Sequence, residues 1–230
     1  MKNKVSVPFM LLGTLFIVCL IVSNLFESKI LLIGSVTTTA GLLLFPISYI
    51  INDCISEVWG FKKAGLVIWS GFAMNFMVAG VAQLAVWLPA APFWEGGDSF
   101  NFVFSMTPRI VTASLFAFLA GSFINAYVMS KMKMSSHGRN FSLRAIVSTV
   151  AGEGVDSLIF FPIAFGGMLH GDKMLLMIVT QIALKSIYEI LVLPITIRVV
   201  RYLKKIEGND AYDADISFNP FKKTGKGIKL

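Results

Sequence analysis

Charged residues are scarce in this chain. Asp, Glu, Lys and Arg make up only 14% of its 230 residues, and 56% are hydrophobic. Soluble domains usually carry about a quarter of charged residues, so the composition excludes an ordinary soluble protein. We therefore predict an integral membrane protein.

Cysteine, histidine and the motifs of common enzymes are also scarce or missing. The two cysteines, Cys19 and Cys54, lie in apolar segments without metal-ligand spacing, which favours packing as small hydrophobic residues. The chain has no H-E-x-x-H, G-x-S-x-G or P-loop motif. We expect no metal, no cofactor and no enzymatic activity, and an intramembrane enzyme that uses acidic residues as general acid and base is a disfavoured alternative.

Six apolar runs are long enough to cross a bilayer, which takes about 20 residues. They are Val5–Phe26, Thr39–Val58, Gly65–Trp87, Ile110–Met129, Leu143–Phe165 and Met174–Val200. The connecting segments are too short to hold a separate soluble domain. The sequence therefore predicts one all-α domain in residues 1–203, a polytopic bundle of six transmembrane helices, followed by a polar cytoplasmic tail at 204–230.

The net charge of +7 follows a topological pattern. With the N-terminus in the cytoplasm, the internal segments hold sixteen Lys and Arg residues and the external ones only Lys29 and Lys173. An excess of basic residues on one side sets the orientation of a membrane protein. We expect both termini in the cytoplasm, no nucleic-acid partner, and Glu27 among the acidic residues of the external loops.

The second apolar run has an unusual beginning. A short apolar stretch at Lys29–Val36 precedes three threonines and Gly41, which indicates an irregular or partly re-entrant segment. The run also contains FPISY at Phe45–Tyr49, which recurs as FPIAF at Phe161–Phe165. Either the two motifs coincide by chance, or the chain is a 3+3 inverted repeat of the kind that many transporters use.

Seven ionisable residues fall within or near the predicted spans. Each costs about 2.5–3.5 kcal/mol at the bilayer centre on insertion scales. Five acids outnumber two bases, so ion pairs alone cannot neutralise the set. Some carboxylates must be protonated or must await a cation or hydrogen-bond donor, which predicts a ligand site. The seven residues are Asp53, Glu57, Arg109, Glu153, Asp156, Lys185 and Glu189.

Helical spacing of three and four residues gathers most of these charges into stripes. Lipid offers such stripes no partner, so they predict a shared polar interior. The three stripes are Tyr49, Asp53 and Glu57; Thr149, Glu153 and Asp156; and Gln181, Lys185 and Glu189.

Simpler interpretations stay open for some of these residues. Glu57 lies near Trp59 and is compatible with a position at the cytoplasmic headgroups. Arg109 fits an interfacial anchor at the outer start of the fourth helix as well as a cavity residue. Lys185 and Glu189 have the spacing of a pair within one helix. Glu153 and Asp156 lie deep in the fifth run and are the hardest to explain without a ligand.

At these residues the chain resembles a known family, the queuosine precursor transporters, also described as vitamin-uptake-transporter-like. Three stretches carry the resemblance, FPISYIINDCISEVWGFKKA, SLRAIVSTVAGEGVDSLIFFPIAF and LKSIYEILVLPIT, and it extends from about residue 45 to residue 198. The resemblance implies a six-helix protein of the bacterial inner membrane. It also implies import of 7-cyano- and 7-aminomethyl-7-deazaguanine, the precursors of the tRNA base queuosine.

The chemistry of a deazaguanine matches the buried acids. Its ring N1–H and exocyclic amine lie side by side, so one carboxylate can accept both in charge-assisted hydrogen bonds. We predict Asp156 or Glu153 at that edge, Asp53 near the 7-substituent, and Lys185 as the group that offsets the carboxylates in the empty site. Further predicted substrate contacts are Phe45, Tyr49, Thr149, Gln181 and Glu189, with Glu57 and Arg109 as gating or interface residues.

Another reading of the same features is a substrate-binding membrane subunit that needs a separate ATPase for transport. A non-transporting scaffold is disfavoured, because buried acids on three helices are costly. The sequence leaves open the preferred base, the energy source and a homodimeric assembly.

Overall fold

The computed structural model describes residues 6–34, 36–135 and 141–208. Within these ranges, five helices are long and apolar enough to cross a membrane, and a shorter helix, α2, accompanies them. The chain is thus an almost entirely helical, multi-pass membrane protein. The helices are α1 (Val7–Phe26), α2 (Phe45–Trp59), α3 (Phe61–Trp87), α4 (Gly97–Ser135), α5 (Phe141–Phe165) and α6 (Gly171–Glu207).

The second predicted span is only partly helical. Strands β1 (Ile30–Ile33) and β2 (Val36–Thr39) form an antiparallel hairpin, and a 3-10 turn at Ala40–Leu43 follows. Helix α2 begins at Phe45, six residues later than the predicted span, with a proline in its first turn, where proline is tolerated. Its 15 residues extend about 22 Å, less than the roughly 30 Å of the hydrocarbon core. The sixth crossing is therefore not confirmed as a full transmembrane helix.

The fourth helix starts much earlier than predicted. Helix α4 begins at Gly97, thirteen residues before the predicted start, and runs through Pro108. Asp98 in its first turn stabilises the helix, because its negative charge lies near the positive end of the helix dipole. The prediction that Arg109 stands at the outer start of this helix is therefore wrong, because twelve residues of helix precede it.

Helices α4 and α5 pack closely through glycine. A Cβ atom built on Gly121 would lie 2.8 Å from the carbonyl oxygen of Gly152, and one built on Gly152 would lie 2.9 Å from the carbonyl oxygen of Gly121. Small residues at such crossings let two membrane helices approach each other. A Cβ atom built on Gly80 of α3, by contrast, would meet nothing within 4 Å.

Two apolar cores organise the bundle. The first includes Phe16 and Leu20 of α1 and Phe72 of α3, and the second includes Phe161 of α5 and Met177 of α6. Large apolar side chains also cover much of the outer surface. Such a surface is expected where lipid is the solvent, and the polar side chains described next lie in the interior.

The inverted repeat is not confirmed. FPISY begins helix α2, whereas FPIAF ends helix α5. The two motifs therefore occupy opposite ends of the helices that a 3+3 repeat would relate.

Candidate functional site

Four polar side chains from α2, α5 and α6 meet in the interior. Lys185 Nζ lies 3.0 Å from Asp156 Oδ2 and 3.1 Å from Glu153 Oε2. The Tyr49 hydroxyl donates to Asp156 Oδ1 over 3.1 Å. Glu153 and Asp156 are 2% and 1% exposed. We call Tyr49, Glu153, Asp156 and Lys185 the central cluster.

The central cluster contains one more acid than base. Lys185 is shared between two carboxylates on α5, rather than paired with Glu189 on its own helix. A buried ion pair needs good geometry and further hydrogen bonds to offset the loss of hydration. The surplus carboxylate makes this place suited to a ligand that brings N–H donors.

Aromatic rings border the central cluster on the α2 side. Lys185 Nζ lies 4.3 Å from the ring centroid of Phe45, within the range of a cation–π contact. The Tyr49 ring lies 5.4 Å from that of Phe45 and 4.9 Å from that of Phe118. Aromatic rings thus adjoin the charged groups on this side.

The remaining predicted acids continue the polar surface towards the other end of α2. Thr149 donates to Glu189 over 2.6 Å. Half-buried Asp53 interacts electrostatically with Glu189, Glu57 and Glu153. Glu57 pairs with Lys204 of α6 at 2.6 Å and is 42% exposed. Glu57 therefore ties α2 to the last turns of α6 and stands apart from the central cluster.

Arg109 caps a helix and does not join the central cluster. Its Nε donates to the Ile163 carbonyl over 2.6 Å, and its Nη2 donates to the Gly166 carbonyl over 2.5 Å. The first carbonyl lies in the last turn of α5, where helix carbonyls lack intrahelical partners, and the second lies just after the helix. The positive charge of Arg109 also interacts favourably with the negative end of the helix dipole.

A second polar group lies on the hairpin side of the central cluster. The sequence predicts only one of its members, Gln181, as a substrate contact. Gln181 Nε2 donates to Thr39 Oγ1 over 2.8 Å, and the Thr39 hydroxyl is hydrogen-bonded to the Glu27 carboxylate. Glu27 also packs directly against Gly41. We call Glu27, Thr39 and Gln181 the outer cluster.

Glu27 is the residue that the sequence interpretation missed. The sequence predicts it in an external loop, yet it is only 4% exposed. Its one sequence signal was Asn24, which lies one turn earlier on the same face of α1 and is also buried. Glu27 is the first residue after the spanning segment of α1, and burial raises the pKa of its carboxyl to about 7, against the Thr39 hydrogen bond and the Lys185 charge.

Comparisons with known proteins identify the family of this chain and one of its relatives. Residues 39–199 match a family model described as "Putative vitamin uptake transporter". The chain belongs to this family. It is also 24% identical over 173 residues to a Bacillus subtilis (strain 168) protein named "Probable queuosine precursor transporter", covering 75% of this chain and 76% of that protein. No solved structure matches the chain.

The matched range includes the whole central cluster. It begins at Thr39, so it covers two of the three residues of the outer cluster and leaves out Glu27. In the described part of the chain, no three His, Cys, Asp or Glu side chains are grouped so that they could hold a metal ion. The groups available for recognition are carboxylates, one ammonium, hydroxyls, an amide and aromatic rings.

Proposed function

We propose that this protein imports 7-cyano- and 7-aminomethyl-7-deazaguanine across a bacterial inner membrane, with both termini in the cytoplasm. The family, the name of the Bacillus relative and the strong bias of basic residues support this proposal. The observation that carries it is the set of contacts of Asp156. This buried carboxylate contacts Tyr49 of α2 and Lys185 of α6, and Lys185 also contacts a second acid, Glu153.

Asp156 is the group that recognises the base. Its two oxygens accept from Tyr49 and Lys185 in the structure. The N1–H and exocyclic amine of a deazaguanine replace the Lys185 hydrogen bond, and Lys185 then stays with Glu153 alone. The exchange conserves charge-assisted hydrogen bonds, which are the strong ones in a site shielded from water. Phe45 and Tyr49 supply apolar faces for the ring.

Transport requires the central cluster to open to each side in turn. All four of its side chains are buried, so neither face of the membrane has direct access. The hairpin and the short helix α2 interrupt the second segment, and interrupted segments of this kind form the substrate sites of many transporters. If α2 separates from α5 and α6 to expose the site, the hydrogen bond between Tyr49 and Asp156 breaks. This bond therefore belongs to the conformation in which the site is buried.

The test is uptake of the tritiated bases into liposomes that contain only the purified protein. We expect ATP-independent uptake that Asp156→Asn lowers by tenfold or more, since one hydrogen bond to a charged group contributes about 1.5–3 kcal/mol. Glu95→Gln, at an exposed acid, is the matched control and should leave uptake unchanged. Binding without uptake would instead indicate a subunit that needs a separate ATPase, and undiminished uptake by Asp156→Asn would refute the assigned role.

A further inference from the structure

Two buried acceptors of the outer cluster lack a donor. Among the residues that the structure describes, none donates a hydrogen bond to Glu27 Oε2 or to Gln181 Oε1. The two side chains are 4% and 1% exposed. A buried polar atom without a partner costs about 1–3 kcal/mol, so two of them beside one shared threonine point to a missing ligand.

Thr39 holds one side of the outer cluster. Thr39 has one hydroxyl, which already contacts both the Gln181 amide and the Glu27 carboxylate. The Gln181 amide points its Nε2 at Thr39 and leaves Oε1 without a donor. Glu27 Oε2 also has no donor among the described residues, so the outer cluster is held on the Thr39 side and unsatisfied on the other.

The outer cluster adjoins the central cluster. Glu27 interacts electrostatically with Lys185 and Asp156, and Gln181 lies one helical turn before Lys185 on the same face of α6. The two clusters are therefore neighbours, and Lys185 and Gln181 connect them along α6.

We propose that Glu27, held by Thr39 and flanked by Gln181, forms a second binding position that receives an amino or ammonium group of the transported ligand. This inference rests on the proposed function. In a 7-aminomethyl-7-deazaguanine, the substituent lies on the five-membered ring, away from the amine on the six-membered ring. With the latter edge on Asp156, the ammonium needs another carboxylate beyond the central cluster, and Glu27 provides it.

Glu27 fits this role better than Asp53, the residue predicted from the sequence. Asp53 is half-buried on α2, and its charged neighbours include Glu57, which forms a pair near the end of the helix. Glu27 is buried, with one part of its carboxylate held by Thr39 and Oε2 unpaired. Preorganised acceptors of this kind bind a donor with less loss of side-chain entropy.

The experiment compares the affinities of the 7-aminomethyl and 7-cyano bases for purified full-length protein in detergent. The two ligands share the ring and differ in the ammonium. Glu27→Gln should weaken binding of the aminomethyl base about tenfold to hundredfold, since a hydrogen bond to a charged group contributes about 1.5–3 kcal/mol. It should change binding of the cyano base by less than about threefold, which also shows that the variant is folded. Thr39→Val, like Glu27→Gln, should lower the affinity for the aminomethyl base.

Asp53→Asn is the matched variant. If Asp53→Asn selectively lowers the affinity for the aminomethyl base and Glu27→Gln does not, the inference is overturned in favour of Asp53. If Glu27→Gln lowers the affinities for both bases equally, the inference is overturned too, because Glu27 would then have no preference for the amine. If wild-type protein binds neither base, the proposed function itself is wrong, and this outcome is distinct from the other two.

Discussion

At the scale of single residues, Lys185 determines whether the buried acids are tolerated. Its ammonium is the cation that contacts Asp156 and Glu153 in the central cluster. Lys185→Met leaves two carboxylates buried without this partner, and breaking a buried pair in this way costs about 3–5 kcal/mol. We expect a clear loss of stability in thermal or denaturant unfolding of the purified protein.

Lys204→Met is the control for this prediction. It removes a cation from the partly exposed pair with Glu57, and such pairs contribute only about 0–1 kcal/mol. The double variant Lys185→Met with Glu153→Gln should recover part of the lost stability. Equal effects of Lys185→Met and Lys204→Met would contradict the description of the central cluster as a buried charge site.

The pKa of Glu27 predicts a pH dependence. Burial raises this pKa to about 7, so the neutral carboxyl dominates below pH 7 and the carboxylate above it. An amine similar to that of lysine stays protonated until about pH 10. Affinity for the aminomethyl base should therefore rise between pH 6 and pH 8.

The dependence belongs to Glu27 if Glu27→Gln removes it. The charged groups that act on this carboxyl, Lys185 and Asp156, remain in that variant and serve as an internal reference. A titration of the aminomethyl base by calorimetry at several pH values measures the effect. An affinity that falls over this pH range in wild-type protein would contradict the prediction.

Spacing along the helices predicted much of the central cluster and little of the outer one. Glu153 and Asp156 face Lys185 because residues three and four apart share a helix face, and this is readable from sequence. Glu27 was missed because its burial depends on the hairpin, which brings Thr39 and Gly41 against the end of α1. Contacts between segments of this kind have no local signal.

At the scale of helices, the α4–α5 crossing positions Asp156. A Cβ atom on Gly121 would lie 2.8 Å from the Gly152 carbonyl oxygen and 3.0 Å from Asp156 Cβ. Gly121→Ala must therefore push the helices apart, and overpacking of this kind usually costs about 1–3 kcal/mol. We expect lower thermal stability together with weaker binding of the base.

Gly80→Ala provides the comparison on α3. A Cβ atom at this position meets nothing within 4 Å, so stability and binding should stay at the wild-type level. Melting of both variants in the same detergent, with and without ligand, checks the prediction. If Gly121→Ala melts and binds like Gly80→Ala, the glycine crossing does not position the site.

The beginnings of two elements were not predictable from apolar runs. Helix α4 includes the polar stretch before Ile110, because a helix that packs along α5 does not need an apolar residue at every position. Thr37 to Thr39 became a strand because β-branched residues suit a hairpin, and Pro46 then started α2. Hydropathy alone places neither boundary.

At the scale of the whole molecule, composition predicts a membrane protein. The placement of the basic residues supports the proposed orientation, with both termini in the cytoplasm. Few charges, long apolar helices and apolar outer surfaces all follow from lipid as the solvent. A homodimer also stays a prediction. The structure adds the burial of the central cluster, whose four side chains are all less than 10% exposed. The proposed transport through this site therefore requires the contacts around it to open.

The central claim is that Asp156 accepts the N1–H and exocyclic amine of the transported base. The most direct test measures the affinities of 7-cyano-7-deazaguanine and its analogue without the exocyclic amine, for wild-type protein and Asp156→Asn. Wild-type protein should prefer the complete base by about tenfold to hundredfold, as expected for one hydrogen bond to a charged group, and Asp156→Asn should lose most of this preference. An unchanged preference in Asp156→Asn would contradict the claim.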